Sequence, residues 1–298
     1  MSQYASQPTD ATEPSIEDII LAQDKRGISA LRPYLSPRFC EEAARFLLAH
    51  PGPTLIATGF YIARAHAPET DGPPGALALG SALASLGHAV AYVSDRYTAP
   101  LLTLLTANRA TVIDFPIMDT LASRQYASQV LAQWQPALLI AIERCGLTSQ
   151  DAYLNMRGQD ISRTTARLDD LFLQHPHTIG IGDGGNEIGM GNLAAHIPRI
   201  TSLPAQPAMT PTTHLVIASV ANWGAYGILT ALSFLLGKNL LPAVQDETAR
   251  IRQAVDFGAV DGTTGNREYT VDGFSLEENA GVLERLHHLL AHADITSP

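Results

Sequence analysis

The stretch Gly180-Ile181-Gly182-Asp183-Gly184-Gly185-Asn186-Glu187-Ile188-Gly189-Met190-Gly191-Asn192 decides how the rest of the chain is read. A short apolar run, 178–182, enters a turn that holds Asp183, Asn186 and Glu187 among six glycines. Glycine reaches positive φ and close approaches closed to other residues, at an entropic cost that an ordinary surface loop has no reason to bear. The turn therefore brings backbone close to something. A plain strand-to-helix packing turn is the alternative, and it explains one or two glycines but not the acids between them.

Gly180, Gly182 and Gly185 also match G-x-G-x-x-G, the dinucleotide fingerprint, which needs a ribose-binding acid about twenty residues further on. None follows Glu187 until Asp246, and no glycine loop leads into Lys-Ser or Lys-Thr, so NAD and P-loop nucleotides are not expected. Two carboxylates would repel phosphate unless a cation lay between them. The turn is read as a polar ligand site, metal-assisted in one version.

Outward from this turn the chain alternates. Apolar runs at 54–58, 88–94, 110–115, 137–142, 178–182 and 213–219 are separated by helical stretches near 75–87, 97–109, 119–134, 162–174 and 223–236. Near-continuous apolar strands separated by helices predict one α/β domain, Rossmann-like, with a mostly parallel sheet covered on both faces. N-terminal helices precede it, the second at 38–50, and residues 1–15 read as a disordered tail ahead of a domain spanning 16–298. Ser275 with Glu278 forms a capping box that starts the last helix.

The runs end in polar residues: Asp95, Glu143-Arg144, Asp183, and Asn222 after the last. Ligands bind outside the carboxyl ends of parallel strands, so these residues are expected at one edge of the sheet. Each acid also has a reading as a helix N-cap, which suits Asp better than Glu. The loop Glu69 to Gly75 is a lid, a further ligand source or a solvated turn. The long connection after Arg144, with Asn155, Met156 and Arg157, is too rich in Tyr, Met and Arg for a linker.

Composition narrows the function. Charged residues are 16% and hydrophobic ones 46%, as in a compact enzyme-sized body. A net charge of -10 argues against nucleic acid or an anionic membrane as partner. Lys25 and Lys238 are the two lysines, and Lys238 follows Gly237 at a helix end, so pyridoxal phosphate chemistry has almost nowhere to sit. Cys40 and Cys145 lie far apart without a secretory leader, and no apolar run reaches membrane-span length, so a cytoplasmic protein is expected.

Together these motifs resemble one family, the C-terminal domain of D-glutamate cyclase. The resemblance is carried by Thr58-Gly59-Phe60, Glu69-Thr70-Asp71-Gly72-Pro73-Pro74-Gly75, Ile142-Glu143-Arg144, Asn155-Met156-Arg157-Gly158, all of 180–192, Asn222-Trp223-Gly224-Ala225-Tyr226, Val260-Asp261-Gly262 and Val271-Asp272-Gly273-Phe274. Long eukaryotic members carry an additional N-terminal domain similar to a hydro-lyase family, which this sequence lacks. The resemblance implies dehydration of D-glutamate to 5-oxo-D-proline.

That chemistry needs a base for the ammonium, an acid for departing water and a cation against the attacked carboxylate. Asp183, Glu187 and Glu143 are the catalytic candidates. Arg144, Arg157, Asn186, Gly184, Gly185, Asn222, Glu69 and Asp71 are the substrate-binding candidates, and either arginine could clamp a carboxylate bidentately. Asp183, Glu187 and Asp95, with Glu143, are the expected oxygen ligands of Mg²⁺ or Mn²⁺. The expected partner is a small acidic amino acid, and a homo-oligomer is left open. Two other classes share these features: a non-catalytic sensor of an acidic metabolite, and a racemase built on Cys40 and Cys145.

Overall fold

The computed structural model describes residues 13–295, so most of the expected tail, 1–12, lies outside the described residues. Within it Ser15 already caps the first helix, α1 (Ile16–Ile20), through a capping box with Asp18. A 3-10 helix (Ile28–Tyr34) and α2 (Phe39–Ala49) follow. The next elements are β1 (Thr54–Thr58), the small hairpin β2 (Tyr61–Ile62) and β3 (Ala67–Pro68), α3 (Pro73–Ser85), β4 (Val90–Ser94), α4 (Ala99–Leu105) and β5 (Thr111–Asp114). Then come α5 (Thr120–Trp134), β6 (Leu138–Ile142), α6 (Asp169–Leu173), β7 (Thr178–Gly182), β8 (His214–Ile217), α7 (Ala221–Leu236), α8 (Val244–Phe257), the ribbon β9 (Thr270–Val271) and β10 (Phe274–Ser275), and α9 (Leu276–His292).

The main sheet is parallel, in the order β5-β4-β1-β6-β7-β8. Counted along the chain this is the 3-2-1-4-5-6 order of the Rossmann fold, and the order reverses between β1 and β6. A period of two sends alternate side chains to opposite faces. Ile56, Leu138, Ile140 and Ile142 join the cluster under α3 and α7. Leu55, Ala57, Leu139 and Ala141 join the cluster with Ala127 and Val130 of α5 and Leu171 and Phe172 of α6.

Every residue of α7 from Ala221 to Ser233 is buried, as expected of a helix that is apolar all round. It packs on α2, α3 and α9 as well as the sheet. Its two polar anchors are satisfied: Trp223 Nε1 donates to Asn279 Oδ1 at 2.8 Å, and Tyr226 Oη to Glu247 Oε1 at 2.6 Å.

Three expectations change. The helix expected over 162–174 is a 3-10 turn at Ser162–Thr164 and α6 alone. Between them the carbonyl of Ala166 accepts from Arg144 Nη2 at 2.8 Å, and its N–H reaches Asp95 at 3.4 Å, so neither group is available to a helix. Residues 244–257, outside the expected helical stretches, form α8, which buries Ile251, Ala254 and Val255. The loop from Glu69 is no solvated turn, because Glu69, Thr70 and Asp71 are all buried.

Candidate functional site

The glycine turn is packed from both sides. The Cα atoms of Gly180 and Gly189 approach so closely that a Cβ on Gly180 would stand 2.8 Å from Gly189 Cα. Gly185, at φ +97°, adopts a backbone that L side chains rarely take. These contacts account for the glycines as packing. The acids have separate work.

Glu187 folds back over its own turn: Oε1 accepts from the N–H groups of Asp183 (3.3 Å) and Gly184 (2.6 Å), and Oε2 from Gly185 (2.7 Å). It locks the turn that presents Asp183. The connection after Arg144 pairs with the same turn, Gly146 N–H donating to Asn186 O at 2.8 Å and Ile188 N–H to Arg144 O at 2.8 Å. Asn186 Nδ2 donates to Leu154 O at 3.0 Å, which ties the connection's far arm down.

Asp71 and Asn222 cap each other's helices. Asp71 accepts from the N–H groups of Ala221 and Asn222 at the start of α7, both at 2.8 Å. Asn222 Oδ1 accepts from Gly72 (3.1 Å) and Gly75 (2.7 Å) at the start of α3. Burial, with Asp272 nearby, still pushes the Asp71 carboxyl up to about 8, against the pull of those N–H groups.

The sequence reading missed two members of the site. Arg26, from the loop between α1 and the 3-10 helix, forms ion pairs with Asp183 and, at 2.7 Å, with Asp272. Asp272 lies between β9 and β10 and is buried. Nothing local signals either meeting, since Arg26 and Asp183 are 157 residues apart. Asp272 belongs to the Val271-Asp272-Gly273-Phe274 motif, where Gly273 at φ +73° marks a tight turn.

Around Arg26 lies a floor of six buried carboxylates: Glu69, Asp71, Glu143, Asp183, Glu187 and Asp272. Glu143, Asp183 and Glu187 each place an oxygen within 4.8 Å of the others', and so do Asp71, Asp183 and Asp272. One oxygen on each of Glu69, Glu143, Asp183 and Asp272 is buried without a hydrogen-bond partner. Such orphans are rare in native proteins and call for a proton, an ion or a ligand. Burial, then the neighbouring acids Glu187, Glu69 and Asp71, pushes the Glu143 carboxyl well above its usual range. Burial likewise lifts Asp183, with Arg26 opposing and Glu143 adding to the rise. The acids hold Arg26 firmly charged against the cost of desolvation, Asp183 and Asp272 foremost.

Above the floor is a cavity of about 110 Å³, lined by Arg26, Glu69, Glu143, Asn186, Arg157 and Arg64 among others. It opens where β1 and β6 end, beside the reversal of strand order. Glu143 follows β6 directly and takes φ +43°, an uncommon value for a non-glycine residue and one found at functional sites.

Two expected site residues sit elsewhere. Arg144 does not line the cavity: it is 1% exposed, with Nη1 on Asp95 at 2.7 Å and on Gly59 O at 2.9 Å. Asp95 is thereby held away from the acidic floor and joins neither of its oxygen groups. The arginines near the mouth are Arg157 and Arg64, both exposed. Gly184 and Gly185 give their N–H groups to Glu187. Cys40 and Cys145 are buried in different apolar clusters, with both thiols pushed up by burial, so they do not face one substrate carbon.

No helix among the described residues is long and apolar enough to cross a membrane. A human protein, mitochondrial D-glutamate cyclase, is 33% identical over 211 residues, 64% of this chain and 34% of the human protein. The chain thus spans about a third of the length of that relative. The model of the family described as D-glutamate cyclase-like, C-terminal, matches residues 16–287, which takes in Arg26, the glycine turn and Asp272, and the chain belongs to that family.

Proposed function

We propose that the chain cyclises D-glutamate to 5-oxo-D-proline and water in the cavity above the acidic floor. One observation carries the reading: Glu143 Oε2, buried and unpartnered at the base of a cavity on the switch point of the sheet. Family membership supports D-glutamate as the substrate. In the reaction the amine nitrogen bonds to the γ-carboxyl carbon and one C–O bond breaks. Two of the three ammonium protons must end on the departing oxygen. A single carboxyl group beside both atoms can take a proton from nitrogen and return it to that oxygen, and a carboxyl that burial holds above its usual range keeps its proton more readily than a free one. Glu143 is given that role, and Glu69, also orphaned and at the cavity, is the second proton carrier.

Arg157 and Arg64 at the mouth would hold the α-carboxylate. The donor set of the floor is all oxygen, which fits Mg²⁺ or Mn²⁺, and Asp71, Asp183 and Asp272, whose oxygens lie within 4.8 Å of one another, would hold the ion with Glu187 bracing the turn. Such a cation supplies neutralisation of the γ-carboxylate, which otherwise repels a nucleophile. The deciding experiment incubates purified chain with D- or L-glutamate, with and without Mn²⁺ or Mg²⁺, and follows 5-oxoproline by chiral mass spectrometry. Product from D-glutamate is the expected result. No product with any cation refutes the activity, and binding without turnover turns the reading to a sensor of acidic metabolites.

A further inference from the structure

Arg26 is the charged group of the floor that reaches both inward and outward. Its side chain is 22% exposed while those of its partners Asp183 and Asp272 are 0% and 3% exposed, and it lines the cavity beside Glu69 and Glu143. Its backbone is fixed. Asp24 accepts from the N–H groups of Arg26 (2.9 Å), Gly27 (2.7 Å) and Ser29 (2.8 Å), so motion belongs to the side chain. One guanidinium among six carboxylates leaves Asp183 Oδ2, Asp272 Oδ2, Glu143 Oε2 and Glu69 Oε1 unpartnered. The floor is therefore under-neutralised with Arg26 in place, and Arg26 holds the Oδ1 atoms of two carboxylates, Asp183 and Asp272, that belong to one oxygen group.

We propose that Arg26 is an exchangeable counter-ion: a substrate carboxylate draws it off Asp183 and Asp272, which opens that pair to a divalent cation, so acidic ligand and cation bind cooperatively. This rests on the cation-assisted reading of the same site. Guanidinium and cation compete for two carboxylates at short range. A carboxylate in the cavity gives Arg26 a second partner of the same chemistry within reach of its side chain, and the competition is relieved. Coupling of this kind is reciprocal, with the usual range about 5- to 150-fold.

The test titrates Mn²⁺ into the full chain by calorimetry, with and without glutarate, a dicarboxylate that lacks the amine and cannot cyclise. For wild type, glutarate should tighten Mn²⁺ about tenfold, and Mn²⁺ should tighten glutarate by the same factor. Arg26→Gln should bind Mn²⁺ alone at least about tenfold more tightly than wild type and lose the glutarate effect. Arg26→Lys, which keeps the charge but cannot bridge two carboxylates, should fall between, and it carries the test if the Gln variant does not fold. Variants that bind Mn²⁺ no more tightly than wild type, or a glutarate effect that survives them, overturn the exchange while the cation site stands. No Mn²⁺ binding to any of the three chains, with or without glutarate, removes the cation site and the exchange with it.

Discussion

Glu143 and Arg144 are neighbours in sequence and opposites in the fold. Arg144 enters a closed knot, with Asp95, Gly59 O and Ala166 O as its partners and 1% of its surface exposed. Glu143 enters the acidic floor, where its Oε2 has no partner. Both are buried ionisable groups at the carboxyl end of β6, so position and burial do not separate structure from function. Satisfaction does. A buried pair whose donors are largely matched holds the chain together, whereas buried carboxylates in excess of their cation hold a place for something else.

The sharpest way to break this contrast is Glu143→Gln. Gln keeps the shape but can neither take nor return a proton, so 5-oxoproline formation should fall by about 10² to 10⁴. Its melting temperature should hold or rise, because an acid pushed up by burial and by its neighbours has been removed. A variant that cyclises at near the wild-type rate takes Glu143 out of the chemistry. Asp183→Asn should lose activity on a similar scale, about 10² or more, with stability measured alongside to separate it from a structural cap.

Arg144→Met should do the reverse, harming the fold first. It strands Asp95, and breaking a buried pair from one side costs about 3–5 kcal/mol, read from urea unfolding. Adding Asp95→Asn should recover part of that loss, since the stranded charge goes with it. A single variant as stable as wild type would erase the distinction between knot and floor.

Saturating Mn²⁺ should stabilise the wild-type chain, by about 2.7 kcal/mol at a hundredfold excess over Kd, and this gain should shrink in Asp183→Asn. Arg144→Met, if it folds, should keep the gain. Equal stabilisation of the two variants would place the ion outside the floor.

The smallest effect is at the surface. Hydrogen bonds from Arg32 and Ser15 lower the Asp18 carboxyl to about 2 from 3.8. A folded-state pKa below the unfolded value means the stabilisation is present above about pH 4 and is lost as pH falls through 2. Because the pair is exposed, Asp18→Asn should cost no more than about 1 kcal/mol at pH 7, and the difference should vanish near pH 2 and shrink in salt. A pH-independent difference would assign the effect to capping instead of charge.

The sequence by itself determined the sheet. Six apolar runs between helix-length segments become six parallel strands, with β1, β6 and β7 buried throughout and the edge strand β5 partly exposed, and their polar ends mark the edge where ligands sit. It also determined which turn carries acids at that edge, since glycine clusters and carboxylates are local features. Helix-length guesses failed where tertiary partners took the backbone, as at Ala166, whose carbonyl belongs to Arg144. Only the tertiary structure decided which charges meet. Arg26 and Asp272 reach Asp183 from opposite ends of the chain, and Asp95 leaves the floor because Arg144 claims it. Electrostatic partners are chosen by distance in space, where a few ångströms in a low-dielectric interior outweigh any spacing along the chain, so a strand's period can orient Glu143 but cannot name its neighbours.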